Sequence, residues 1–169
     1  MNLLFSNQEI KQAIEKIANE INNKKHDEPP IFICVLNGAF MFFTDLVKQI
    51  EECEIDFIRI KTYPYSLDTD KLVITADITS YISNRDVYIV DDIYDSGNTI
   101  EHILFYLSKR NPKSSTPITL FKRYTSEKDS LIYGINLKNE SYIVGYGLDD
   151  LKGLRRNLTY VIGLEDDNN

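Results

Sequence analysis

Three carboxylates fall within five residues, Asp91, Asp92 and Asp95, and Ser96, Gly97, Asn98 and Thr99 follow at once. The apolar run Val87-Tyr88-Ile89-Val90 precedes them, as a short buried strand would. Ile100, Ile103, Leu104 and Leu107 then recur at helical spacing, so the acids and the small residues sit on one strand-turn-helix unit. The Ser-Gly-Asn-Thr turn offers small side chains, hydroxyls and backbone N–H groups beside a helix N-terminus, the components of a monophosphate cradle. The helix dipole contributes only about 0.3–1 kcal/mol to holding a charge there, so converging hydrogen bonds must supply the rest. Asp91 and Asp92 are placed to receive ribose hydroxyls, directly or through Mg²⁺. A dinucleotide site would carry G-x-G-x-x-G and a P-loop a Lys after Gly, and neither pattern is present. These residues alone also suit a binding module without chemistry.

The elements that position this unit can be read along the chain. Ser6 and Glu9 form a capping-box signature, and Ile10, Ile14, Ile17 and Ile21 give an amphipathic first helix. Pro29 and Pro30 lead into Ile31-Phe32-Ile33-Cys34-Val35-Leu36, an unbroken apolar run that fits a strand buried on both faces. Asn37-Gly38 breaks it sharply, and Phe42, Phe43, Leu46, Val47 and Ile50 mark a second helix. Ile55 to Lys61 reads as a strand, and the polar stretch from Tyr63 to Asp70 as a mobile loop. Ile118 to Phe121, Tyr142 to Val144 and Tyr160 to Ile162 complete the strand candidates. Alternating strands and helices predict an α/β fold with an open, mostly parallel sheet flanked by helices. Ligands in such sheets bind outside the carboxyl ends of the strands, where the chemistry-bearing residues fall.

The 169 residues suit a single domain, 1–169, with 43% hydrophobic and 27% charged residues. A formal net charge of -7 speaks against a general nucleic-acid surface and repels a polyanionic substrate at long range. Any phosphate site must therefore be local and assisted by a cation. Cys34 and Cys53 have neither metal-ligand spacing nor a disulfide framework and read as reduced thiols; His26 and His102 have no partner motif. No stretch is apolar enough to span a bilayer and the N-terminus lacks a secretory pattern, so a cytoplasmic location with no membrane partner is expected.

Val87 to Thr99 resembles the phosphoribosyl-diphosphate signature of the type I phosphoribosyltransferases, and further segments resemble the hypoxanthine-guanine branch. Val35 to Phe42 is similar to that branch's first loop, whose backbone receives pyrophosphate, which implies this role for Asn37 and Gly38 and allows a cis Leu36–Asn37 peptide. Lys61-Thr62-Tyr63 resembles the entry to the loop that closes over the active site and excludes water, although the body of that loop has no glycine here. Leu120-Phe121-Lys122-Arg123 resembles the strand end whose lysine recognises the purine's exocyclic oxygen; an ammonium only donates, so it selects a carbonyl over an amino group. Tyr142 to Asp149 resembles the base pocket, with Tyr142 stacking on the purine and the backbone near Ile143 meeting its edge. Asp149 matches an acid near pyrophosphate and metal, and Arg155 a pyrophosphate-binding arginine.

The resemblance covers nearly the whole chain and implies a small base-binding hood built from the chain ends. It also implies Mg²⁺ held by Asp91, Asp92 and Asp149, and phosphoribosyl diphosphate and a 6-oxopurine as substrates. Transfer would give IMP or GMP and pyrophosphate in purine salvage, with Asp95 taking the purine's proton, and relatives suggest a homodimer or homotetramer. Three other readings compete. A phosphoribosyltransferase for xanthine, adenine or a pyrimidine would share most of these motifs. A regulator that binds phosphoribosyl diphosphate only as an effector would show a DNA-binding extension or a basic face. A phosphoacceptor domain would place its acid pair after the first strand.

Overall fold

The computed structural model describes residues 2–63, 71–123, 130–138, 141–150 and 152–164. The strands are β1 (Asn2–Phe5), β2 (Ile31–Leu36), β3 (Glu54–Tyr63), β4 (Lys71–Ala76), β5 (Asp86–Tyr94), β6 (Ser114–Arg123), β7 (Ile132–Leu137), β8 (Tyr142–Val144) and β9 (Val161–Leu164). The helices are α1 (Asn7–Asn22), α2 (Phe40–Val47) and α3 (Asn98–Ser108). Six strands form a sheet of order β4-β3-β2-β5-β6-β7, parallel throughout except for the antiparallel β4. The order reverses between β2 and β5, so a crevice opens at the carboxyl ends of those two strands.

Alternation along the buried strands divides the core. Phe32 and Cys34 of β2 face α1 and α2, whereas Ile31, Ile33 and Val35 face α3. The helical spacing of α1 buries Ile10, Ala13, Ile14, Ile17, Ala18 and Ile21, each full isoleucine burial contributing about 1.5–3 kcal/mol. Its N-terminus carries the expected capping box: Ser6 Oγ accepts from the Glu9 N–H, and Glu9 accepts from the Ser6 N–H at 2.8 Å. A separate antiparallel sheet, β1-β9-β8, is built from the chain's two ends and forms the hood.

Four features differ from the sequence reading. β5 runs on to Tyr94, so Asp91 and Asp92 lie within its last turns of pleat and not beyond its end. β1, β4 and β7 were not expected as strands. In β7 the interior Gly134 weakens the strand signal, yet it is what lets α1 approach: a Cβ there would lie 3.0 Å from that of Ala13. His26 does have partners, with Nδ1 3.0 Å from Asp86 and Nε2 3.3 Å from the Tyr88 hydroxyl. The expected mobile loop after Tyr63 lies outside the described residues, as do the side chains of Thr62 and Tyr63, which end β3.

Candidate active site

A cavity of about 260 Å³ occupies the crevice, lined by Leu36, Gly38, Asp91, Asp92 and the run Asp95 to Ile100 among others. The segment after β5 forms its floor. Gly97 takes φ 84, a left-handed conformation that turns the strand end into α3, and Tyr94 packs beneath it, where a Cβ would lie 2.5 Å from the hydroxyl. Unlike α1, α3 starts at a glycine N-cap with no side chain; the Asn98 N–H donates to Ser96 Oγ at 3.4 Å, and Asn98, Thr99 and Ile100 line the cavity. A helix N-terminus opening into a cavity is an anion site in waiting.

Asp91 is buried and Asp92 partly so. Burial, reinforced by the Asp92 charge, holds Asp91 well above the usual carboxylate range. Burial raises Asp92 as well, although the Ile93 N–H and the Arg156 charge pull it down. Such a pair is poised to be neutralised by hydroxyl donors or a cation.

Two glycines bring two loops and strand β5 together. A Cβ on Gly38 would overlap the Asp92 carboxylate, and one on Gly147, at φ 100, would overlap the Gly38 carbonyl oxygen. The Leu36–Asn37 peptide before Gly38 is cis. The loop beyond β8 therefore touches the loop beyond β2, which touches β5. Arg156 completes the junction, 2.6 Å from Asp149 and donating to the Gly147 carbonyl at 2.6 Å.

Arg155 takes φ 74 and its Nε lies 3.2 Å from Asp150, whose carboxylate also accepts the Lys152 and Leu154 N–H groups at 2.9 Å. Asp150 thus staples this short loop and turns Arg155 toward itself. Arg156, which is not among the expected site residues, pairs with Asp149, and its charge acts on Asp92. Among the described residues no three His, Cys, Asp or Glu side chains form a ready ligand cluster, and Asp149 is engaged by Arg156. Mg²⁺ characteristically takes one or two carboxylates and completes its shell with substrate phosphates and water, which the donors Asp91, Asp92 and Asp149 suit.

Asp95 lines the cavity with an exposed carboxylate 3.5 Å from Arg123 Nε, and Arg123 in turn donates to the Ser141 carbonyl at the foot of the hood. Lys122 pairs in register with Tyr94, beside the floor, with its ammonium 5.1 Å from the centre of the Tyr133 ring. Tyr142 is half-exposed and its hydroxyl donates to the Asp149 carbonyl at 3.0 Å; Ile143 is buried in the hood. Lys122, Tyr142 and Ile143 do not line the cavity itself. Arg123 and Tyr133 had no assigned role in the sequence, because only the pairing of β6 with β7 and the approach of the hood reveal their contacts.

A family model described as a phosphoribosyl transferase domain matches residues 2–151. The chain belongs to the phosphoribosyltransferase family. The hypoxanthine-guanine-xanthine phosphoribosyltransferase of Tritrichomonas foetus is 34% identical over 152 residues, covering 87% of this chain and 82% of that protein. The hypoxanthine-guanine phosphoribosyltransferase of Bacillus subtilis is 30% identical over 164 residues, covering 94% and 90%. A crystal structure of a hypoxanthine-guanine phosphoribosyltransferase from Bacillus anthracis, with HEPES in its active site, matches with a TM-score of 0.89 at 27% identity, over 98% of this chain and 99% of that one. The crevice of this phosphoribosyltransferase is thus its candidate active site, and its sheet order and hood are those of the expected fold. No helix among the described residues is long and apolar enough to cross a membrane.

Proposed function

We propose that this phosphoribosyltransferase moves the 5-phosphoribosyl group of phosphoribosyl diphosphate onto hypoxanthine or guanine, releasing pyrophosphate and giving IMP or GMP in purine salvage. The observation that carries the reading is the junction of the glycine-started α3 N-terminus, the Asp91-Asp92 pair and the Gly38 loop around one cavity. The backbone of Ser96 to Thr99 holds the 5-phosphate, and Asp91 and Asp92 receive the ribose hydroxyls. Asn37 and Gly38 hold the pyrophosphate; of the two neighbouring arginines, Arg156, whose charge reaches Asp92, is proposed to bind it ahead of Arg155. The bond from the anomeric carbon to pyrophosphate breaks through an oxocarbenium-like state as a purine ring nitrogen attacks, and Asp95 accepts the proton from the purine. Lys122 donates to the exocyclic oxygen, Tyr142 stacks on the base, and the backbone near Ile143 meets its edge. Thr62 and Tyr63 lead into the closing loop.

Asp91, Asp92 and Asp149 would hold Mg²⁺, whose contribution is to neutralise charge on the leaving group. Self-association into a homodimer or homotetramer is proposed through β3 and α2, where Ile55, Phe57 and Phe40 are exposed and Phe57 meets Phe43 at 5.6 Å. The chain then acts as one domain with its hood, and its two free cysteines suit a cytoplasmic location. The test is a panel of hypoxanthine, guanine, xanthine and adenine with phosphoribosyl diphosphate, run with Mg²⁺ and with a chelator. Nucleotide formation from the oxopurines in Mg²⁺ alone supports the reading. Turnover of adenine alone, or full turnover in chelator, contradicts it.

A further inference from the structure

On the strand beside Asp91 lies a buried polar side chain that the proposed chemistry does not use. Thr119, in the middle of β6, is 0% exposed, and its Oγ1 has no hydrogen-bond partner among the described residues. An orphaned hydroxyl at that depth is uncommon in folded proteins and calls for a physical reason. Its position supplies one. In the parallel pairing of β5 with β6, Thr119 is the register partner of Asp91, so the two side chains leave the sheet on the same face. Neighbouring strands lie about 4.8 Å apart, and a rotation about the side-chain bonds brings such a hydroxyl within hydrogen-bonding distance of its neighbour's carboxylate.

Asp91 is held through its neighbour Asp92, its Oδ1 accepting the Asp92 N–H at 2.9 Å and its carboxyl also meeting the Asp92 side chain. The proposed function asks this carboxylate to accept ribose hydroxyls in the cavity, which requires a fixed side-chain orientation. The hydroxyl of Thr119 is the donor that the register of β5 with β6 places on the neighbouring strand.

We propose that Thr119 is a positioning residue whose hydroxyl donates to the Asp91 carboxylate when the phosphoribosyl group is bound, and so sets the orientation in which Asp91 meets the ribose. This rests on the assignment of Asp91 to the sugar. The unpaired hydroxyl is then a local cost that the proposed bond relieves, and it has a signature that a merely structural threonine lacks. Replacement by valine keeps the shape and removes the unpaired hydroxyl, so the empty protein gains or holds stability while sugar binding weakens.

Melting temperatures with and without phosphoribosyl diphosphate and Mg²⁺, together with steady-state kinetics, decide it for the wild type, Thr119→Val and Thr119→Ser. Expected for Thr119→Val is an unchanged or higher melting temperature without ligand, a smaller ligand-induced rise, and a KM for phosphoribosyl diphosphate about tenfold higher, as for loss of a bond to a charged group. Thr119→Ser, which retains the hydroxyl, restores the KM. A valine variant with wild-type KM and ligand-induced rise overturns the inference and leaves the function standing. So does loss of binding in both variants, which indicates packing. A wild type that shows no ligand-induced rise removes the assignment of Asp91 itself, and the inference with it.

Discussion

Arg156 is bound to Asp149 at 2.6 Å and at the same time donates to the carbonyl of Gly147, whose lack of a side chain admits the carbonyl oxygen of Gly38. One guanidinium therefore ties the loop beyond β8 to itself, at the glycine against which the loop beyond β2 packs. Arg155, one residue earlier, is spent on Asp150.

The two arginines are accordingly expected to differ under substitution. Arg156→Ala removes charge-assisted bonds on the pyrophosphate side and should raise the KM for phosphoribosyl diphosphate at least about tenfold. Arg155→Ala breaks a partly exposed pair of about 0–1 kcal/mol and should change the KM less than about threefold. Steady-state kinetics on both variants checks this, and the reverse ranking returns the role to Arg155.

Asp95→Asn keeps size and hydrogen-bonding reach while removing the proton acceptor. General-base losses run to about 10²–10⁴-fold, and the lower end is expected here because a purine nitrogen is itself a fair nucleophile. The loss should fall on kcat, with phosphoribosyl diphosphate affinity little changed. Unaltered turnover would mean that another group takes the proton.

Lys122 and Tyr133 bear on base choice. Adenine would set an amino donor against the ammonium and leave it unpaired, which costs about 1–3 kcal/mol or more and makes adenine a poor substrate. Lys122→Met should lower kcat/KM for hypoxanthine and guanine and narrow their advantage over adenine. Tyr133→Leu removes a cation–π contact of about 0.5–2 kcal/mol and should shift the same ratio to a smaller degree. An unchanged oxopurine preference in Lys122→Met would assign base reading to the backbone near Ile143.

Acid stability should depend on Asp56, a buried carboxylate on β3 far in sequence from the segment it holds. It accepts the N–H groups of Phe57, Thr79 and Ser80, each at 2.7 Å. Burial opposes its charge, but the bonds from Ser80, Phe57 and Thr79 outweigh it and hold the group below its ordinary value of 3.8. A depressed folded value means that the stabilisation is present above about pH 3.8 and is lost as pH falls from there through the lower folded value. Asp56→Asn should therefore cost about 1–3 kcal/mol at pH 7, with the gap to wild type closing in strong acid. Denaturant melts at pH 7 and pH 3 measure it; an equal gap at both would show that charge is not what Asp56 contributes.

Much of this was legible in the sequence because the signals were local. Ser6 and Glu9 lie one helical turn apart, the Ile31 to Leu36 run needs no partner to read as a buried strand, and Asp91 to Thr99 carries its turn and helix start within nine residues. What was not legible depends on pairing at a distance. The contacts of Arg155 are set by the left-handed backbone at Gly153 and Arg155 and by Asp150 accepting two N–H groups across the loop. The partners of His26 are set by Asp86 and Tyr88 on β5, sixty residues away. β7 was hidden by Gly134, whose value appears only once α1 lies against it.

The central claim is that this crevice joins a 6-oxopurine to the phosphoribosyl group at the expense of the pyrophosphate bond. The most direct measurement mixes the purified protein with hypoxanthine, phosphoribosyl diphosphate and Mg²⁺ and follows IMP and pyrophosphate together over time. The account predicts that both appear at the same rate in a one-to-one ratio and that neither appears without hypoxanthine. Pyrophosphate released without IMP, or neither product while phosphoribosyl diphosphate binds, would contradict it.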